Sequence, residues 1–189
     1  MSEQPIPQKL LHGFLNSVYS LLAVFITFMI LAVIASGAIP ELHSVTKLSL
    51  NEAAIAYEYK DAKTLFADSF SLSINGMGLL LTFVLCAFSL FGKAAISLLT
   101  ALCGFILGSA LFSALSINAV GYKLGVCLAF TAIAYLLSIL FAALCLRAHK
   151  LLFSDKTGQV ARTTLVLFTL FLTFCGAYCL LRTIELLLL

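Results

Sequence analysis

The sequence predicts an all-α fold: a polytopic transmembrane helix bundle of about five spans, with one extracytoplasmic amphipathic helix. First, 62% of the 189 residues are hydrophobic. Second, only 10% are charged, against about 25% in an average soluble domain, which is too few to coat a soluble surface. Third, long windows contain no Asp, Glu, Lys or Arg, and each can supply the roughly 20 apolar residues of a spanning helix. These windows are 10–40, 69–92, 94–122, 124–146 and 163–181.

The first span is predicted over about 18–35, and residues 1–189 are expected to form one membrane domain. A secretory signal peptide is the alternative, since small residues follow the apolar run at 35–38. The apolar run exceeds the usual signal-peptide core of about 7–15 residues. We therefore expect a first span that is retained.

Residues 36–73 form the one sizeable polar segment, which we expect to lie outside the cytoplasm. Within it, an apolar stripe recurs at helical spacing and predicts an amphipathic helix over 50–72 that lies on the membrane or over the bundle. Glu58 and Asp61 point away from the stripe. A plain helical linker into the second span is the alternative. The stripe consists of Ile55, Tyr59, Ala62 and Phe66.

The remaining spans are predicted over about 74–91, 95–115, 124–146 and 164–181. Asn75 is expected to cap the second span, with a bond across to the third span as the alternative. Glycine and lysine at 92–93 make a very short turn, and the stretch 147–162 is the most basic of the chain. Arg182 and Glu185, three residues apart, are expected to pair at the outer interface.

The distribution of Lys and Arg predicts the orientation. If the chain has five spans, the short connections on the same side of the membrane as the N-terminus contain six basic residues. The short connections on the other side contain two. An N-terminus in the cytoplasm and a C-terminus outside therefore follow. The six are Lys9, Lys93, Arg147, Lys150, Lys156 and Arg162.

Helix packing is predicted at Thr100, Gly104 and Gly108, which repeat small residues every four positions on the third span. This spacing lets two helix backbones approach closely. We expect the contact within one chain, with a homodimer face as the alternative. Span hydroxyls are expected to bond back to their own helices, and the six cysteines to serve as packing residues.

The span centres carry no Asp, Glu, Lys, Arg or His. A proton relay, a serine–histidine protease and a paired-aspartate protease would each need such groups inside the membrane. The sequence also has neither HExxH nor a P-loop. We expect a non-enzyme with no cofactor or metal and no binding to nucleic acid.

Residues 66–153 resemble the stage II sporulation protein M family. The similarity rests on three short motifs: Ile74-Asn75-Gly76, the turn from Phe88 to Gly92, and the step from Gly104 to Gly108. The resemblance implies a membrane scaffold that, in spore formers, anchors cell-wall hydrolases. It implies no catalytic residues. Cys103, where the family often has a polar residue, departs from the pattern.

Two functions are expected from these features. The first is a scaffold that localises a partner complex, with Glu58 and Asp61 facing an extracytoplasmic protein. The second is the permease subunit of an ABC-type exporter, whose separate cytoplasmic ATPase would dock on Arg147, Lys150 and Lys156. The lipid bilayer and other membrane proteins are further expected partners, and a homo-oligomer is possible in either case.

The predicted orientation can be tested with single cysteines in a variant that lacks the native six. Glu58→Cys should react with a membrane-impermeant thiol reagent added to intact cells, because position 58 is expected outside. Asp155→Cys should react only after the cells are opened. The reverse pattern would contradict the cytoplasmic N-terminus.

Overall fold

The structure, a computed structural model, describes residues 6–38, 62–115, 122–153 and 160–188. These residues form five α-helices, so the predicted all-α fold is confirmed. The helices are α1 (Ile6–Ala38), α2 (Ala62–Phe88), α3 (Gly92–Leu115), α4 (Tyr122–Leu152) and α5 (Val160–Leu188).

Four helices contain a stretch that is long and apolar enough to cross a membrane: His12–Ala38 of α1, Gly92–Ser113 of α3, Gly125–Leu152 of α4 and Val160–Leu188 of α5. The protein is therefore a membrane-embedded helical bundle. In α2 the apolar stretch is shorter, Ser73–Phe88, although the helix itself has 27 residues. A fifth span at α2 stays a prediction.

The start of α2 corrects one expectation about Asn75. Helix α2 begins at Ala62 and continues without a break to Phe88, so Asn75 lies in its interior and the predicted helix cap is wrong. No glycine or proline occurs from Ala62 to Asn75 to end the helix earlier. Residues 62–72 thus continue into the second span as one helix. Residues 50–61 lie outside the described ranges, and the amphipathic helix over 50–72 stays a prediction.

Helices α4 and α5 run further than their charge-free windows. The last turns of α4 include Arg147 and Lys150, which the sequence placed in a loop. Helix α5 continues past Arg182 to Leu188. A charge ends an apolar window, but it does not end a helix, because Arg, Lys and Glu are good helix formers.

Contacts along the helices fix their directions. The backbone near Gly104 meets Phe25, and the ring of Phe112 lies near Gly37, so α1 and α3 run parallel. Helix α2 runs parallel to α4, since Ala87 contacts His149 and Gly76 lines a cavity with Ala134. The start of α1, the α2–α3 turn, the end of α4 and the start of α5 therefore share one end of the bundle. We call this the basic end, and its counterpart the opposite end.

Helix α4 is the centre of the bundle, because it contacts all four other helices. Its buried positions are mostly small, including Ala134, Ala142 and Ala143. The larger Phe141 is fully buried and meets the ring of Phe174 on α5 at a centroid distance of 5.0 Å. Alternating small and large side chains let neighbouring helices interlock.

A close contact between helix backbones joins α1 and α3. A Cβ atom on Gly104 would overlap the backbone carbonyl of Phe25, and one on Gly108 would overlap that of Met29. Thr100, one turn earlier, is buried and donates its hydroxyl proton to the carbonyl of Ile96 at 2.8 Å. The small-residue face thus packs within the chain. Dispersion contacts of this kind hold membrane helices together, since lipid is as apolar as their side chains.

Most hydroxyls in the spans bond to their own helix, as expected. Ser97, Ser109 and Thr169 each donate to the carbonyl four residues earlier, at 3.0 Å. The same bond is made by Thr27, Thr82, Ser138, Thr164, Thr173 and Thr183. These groups therefore satisfy themselves locally.

Replacing Gly104 with alanine should destabilise the bundle, because the new methyl group must push α1 and α3 apart. We expect a loss of about 1–3 kcal/mol in the free energy of unfolding, measured by denaturant titration of detergent-solubilised protein. Gly176→Ala is the matched control, since a Cβ there meets nothing within 4 Å. Equal stability of the two variants would contradict the close contact.

Candidate functional site

The predicted docking residues fall partly within the described chain. Lys150 is exposed on the last turn of α4, and Arg147, one turn earlier, is half-buried and makes interactions of its own. Exposed Lys93 and Arg162 lie at the same end. The structure thus gathers these cations at the basic end. Lys156, Glu58 and Asp61 lie outside the described ranges.

His149 joins α4 to α2 at the basic end. The ring of His149 on α4 contacts the backbone carbonyl of Ala87 through Nδ1 at 3.0 Å. That carbonyl belongs to the last turn of α2, where carbonyls lack helical partners. Because a carbonyl can only accept, Nδ1 carries the proton. A Cβ on Gly92 would come within 2.8 Å of the same nitrogen, so the α2–α3 turn fits closely around the ring.

The opposite end contains a buried ion pair. Arg182 and Glu185 on α5 pair through Nη1 and Oε2, as the sequence predicted, and their side chains are only 16% and 6% exposed. The thiol of Cys127 on α4 lies near the Glu185 carboxylate. The pair is thus part of the helix packing, and not a solvated surface pair.

Beside this ion pair lies a cavity of about 220 Å³ between α2, α4 and α5, which we call the three-helix cavity. Each of the three helices contributes polar groups to its wall. The lining residues are Asn75, Gly76, Leu79, Thr131, Ala134, Tyr135, Tyr178 and Arg182.

Tyr178 forms part of the cavity wall. Its hydroxyl donates to the carbonyl of Ala134 at 3.2 Å and also lies 3.2 Å from the hydroxyl of Ser138. Its ring occupies the space that a side chain at Gly76 would need. Helix α2 can therefore approach α5 at this level only because residue 76 is glycine.

The cavity can present hydrogen-bond donors to a polar molecule. Asn75 has an amide group, Thr131 and Tyr135 have hydroxyls, and Arg182 has a guanidinium. Within the described ranges, no group of three or more His, Cys, Asp or Glu residues is placed to hold a metal ion. The arrangement is suited to binding an oxygen-bearing group.

Comparisons with known proteins leave the function to be argued from these residues. No family model, no curated protein and no solved structure matches the chain.

Sequence reasoning did not find the three-helix cavity. It assigned Asn75 to a helix cap, and it treated Thr131 no differently from the other span hydroxyls. The two tyrosines, 43 positions apart in a strongly apolar chain, gave no pattern that links them. The one available signal was Arg182 with Glu185, an ion pair beside the end of an apolar window.

The contact between Gly76 and Tyr178 can be measured by a double-mutant cycle. Gly76→Ala alone should lower the free energy of unfolding by about 1–3 kcal/mol, because the methyl group displaces the tyrosine ring. In a Tyr178→Ala background the ring is gone, so the same change should cost under about 0.5 kcal/mol.

Gly78→Ala on the same helix is the control for this cycle, since nothing lies within 4 Å of a Cβ at that position. Additive effects of the two substitutions in detergent unfolding would show that residues 76 and 178 do not share this space.

Proposed function

We propose that this protein is an integral membrane scaffold, which holds a partner complex at the membrane without catalysing a reaction. The observation that carries the proposal is the use of its polar groups. Span hydroxyls such as Ser97, Ser109 and Thr169 are bonded to their own helices and not turned toward a common path. They support a packed bundle whose interior serves its own stability.

The close packing of α1 on α3 supports the same proposal. A scaffold presents fixed surfaces to a partner, and backbone contact at Gly104 and Gly108 leaves little room for these helices to slide. The resemblance of residues 66–153 to the sporulation protein M family also favours a scaffold. In this proposal, Glu58 and Asp61 contact an extracytoplasmic partner.

The second candidate is the permease subunit of an ABC-type exporter. The three-helix cavity favours it, since donors from α2, α4 and α5 line one space. A separate ATPase would then bind at the basic end, through Lys150, Lys156 and neighbouring Arg147. Several copies of the chain would be needed to enclose a path.

Charge changes on the two sides separate the candidates. Glu58→Lys combined with Asp61→Lys should release the partner of a scaffold, because like charges at an interface cost several kcal/mol of binding free energy. A loss of about 1.4 kcal/mol already lowers the affinity tenfold. Lys150→Gln combined with Lys156→Gln should leave that partner bound. Both variants should reach the membrane at wild-type levels. The measurement is quantitative affinity purification from native membranes after crosslinking.

Arg147 is left unchanged in this experiment, since it is half-buried and its loss would disturb α4. The permease would be favoured if the variant with Lys150→Gln and Lys156→Gln lost an ATPase, while the variant with Glu58→Lys and Asp61→Lys kept all its partners. Unchanged partners in both variants would contradict a scaffold that acts through these surfaces.

A further inference from the structure

An apolar groove lies between α4 and α5 at the basic end, and we call it the α4–α5 groove. Its lining includes Ala148 and Leu167, which are buried, and Leu151 and Val166, which are 41% and 48% exposed. Because the side chain of Ala148 is a single methyl group, a space of about 200 Å³ remains open beside it. The groove is therefore accessible from the outer surface of the bundle.

The groove is apolar toward the middle of the bundle and polar toward the basic end. Leu144 and Leu170 line its inner part, whereas Arg147 and Thr163 lie nearer the basic end. The lining extends along α4 from Leu144 to Leu151, which is a length of about 10 Å at 1.5 Å per residue. A molecule with an apolar chain and a charged head would match both parts.

Two neighbouring helices place this groove at the edge of the hydrocarbon layer. In α4 the charge-free window 124–146 ends directly before Arg147, and in α5 the charge-free window 163–181 begins directly after Arg162. Both helices are long and apolar enough to cross a membrane. Lys and Arg at the ends of such helices reach the polar interface. The cationic part of the groove therefore lies at the level of lipid head groups, and the apolar part beside lipid chains.

The surroundings of the groove are positively charged. Lys150 and Arg162 directly precede the lining residues Leu151 and Thr163, and both cations are exposed. The described Asp and Glu residues lie near the start of α2 and the end of α5, at the opposite end of the bundle. In the sequence, the stretch 147–162 contains four Arg or Lys and one Asp. An anionic head group is attracted to such a site, whereas the ammonium group of a zwitterionic one is repelled.

We propose that the α4–α5 groove binds an anionic phospholipid, with the start of one acyl chain beside Leu144 and Leu170 and the phosphate beside Arg147, Lys150 and Arg162. The guanidinium of Arg147 has five N–H donors, so it can contact a phosphate in addition to the interactions that it makes within the protein. Basic pockets between spanning helices bind acidic lipid head groups in this way. The proposal goes beyond the scaffold function, which rests on other residues.

The test compares two head groups on identical acyl chains. Purified protein is reconstituted in nanodiscs with equal amounts of phosphatidylglycerol and phosphatidylcholine, and the lipids that stay bound after the nanodisc is removed are counted by native mass spectrometry. We expect one retained lipid, with phosphatidylglycerol preferred about tenfold or more, because several cations act on its negative charge. Equal retention of the two lipids would overturn the proposal.

Removal of single charges locates the head group. Lys150→Gln and Arg162→Gln should each lower the preference about fivefold, because one basic residue near an anionic lipid contributes about this factor. Lys93→Gln is the matched control, since it removes an exposed cation at the same end, and within the described residues α3 does not contact α5. This variant should keep the wild-type preference. The same loss in all three variants would show a general attraction to charge and contradict a site at the groove.

Filling the groove tests the position of the acyl chain. Val166→Phe adds a ring at the exposed side of the groove, so the variant should retain less lipid of either kind. Leu165→Phe is the control, because Leu165 is 69% exposed and does not line the groove, and its retention should equal that of the wild type. Equal retention by the two variants would show that the acyl chain does not occupy the groove.

Two further results would assign the cations to another ligand and overturn the proposal. Displacement of the lipid by glycerophosphoglycerol, the water-soluble head group without acyl chains, would identify a soluble phosphodiester as the ligand. Loss of an ATPase from Lys150→Gln in affinity purification from native membranes, with an unchanged lipid preference in the nanodisc, would identify a protein partner.

Discussion

All other helices in the described bundle pack against α4, and its narrow surface makes this possible. Alanines at 134, 142 and 143 keep the backbone of α4 close to its neighbours, while Phe141 fills the space toward α5. In lipid, apolar side chains gain little from leaving the solvent, so the quality of packing and the few interhelical hydrogen bonds decide stability. The α1–α3 contact at Gly104 and Gly108 follows the same rule with even smaller residues.

Polar bonds between the described helices are few, and they lie at different levels of the bundle. Hydroxyls such as those of Ser97, Ser109 and Thr169 are bonded within their own helices. Between helices, His149 contacts the carbonyl of Ala87 near the basic end, and Tyr178 donates to the carbonyl of Ala134 close to the middle of α4. Each of these bonds satisfies a polar group that lipid could not satisfy.

The sequence was sufficient for the architecture but not for the cavity. Charge-free windows located the helices, because excluding charge from lipid acts on each residue separately. The sequence analysis began the second helix near Asn75 and ended the fourth before Arg147, but both helices extend further. A helix can continue where the sequence changes from apolar to polar. The cavity depends on three distant segments meeting at one level, which no local pattern encodes. The ion pair of Arg182 and Glu185 was predictable because its two members are neighbours on one helix.

The bond between His149 and Ala87 also sets the mechanics of the bundle. It joins α2 to α4 near the basic end, so any tilt of α2 that keeps this bond would turn about that point. Gly76 lies 11 residues away, a lever of about 16 Å at 1.5 Å per residue. A swing of roughly 5° about the pinned point would move α2 by about 1.5 Å at the level of Tyr178. A tilt that keeps the bond would therefore change the width of the three-helix cavity while leaving the basic end in place.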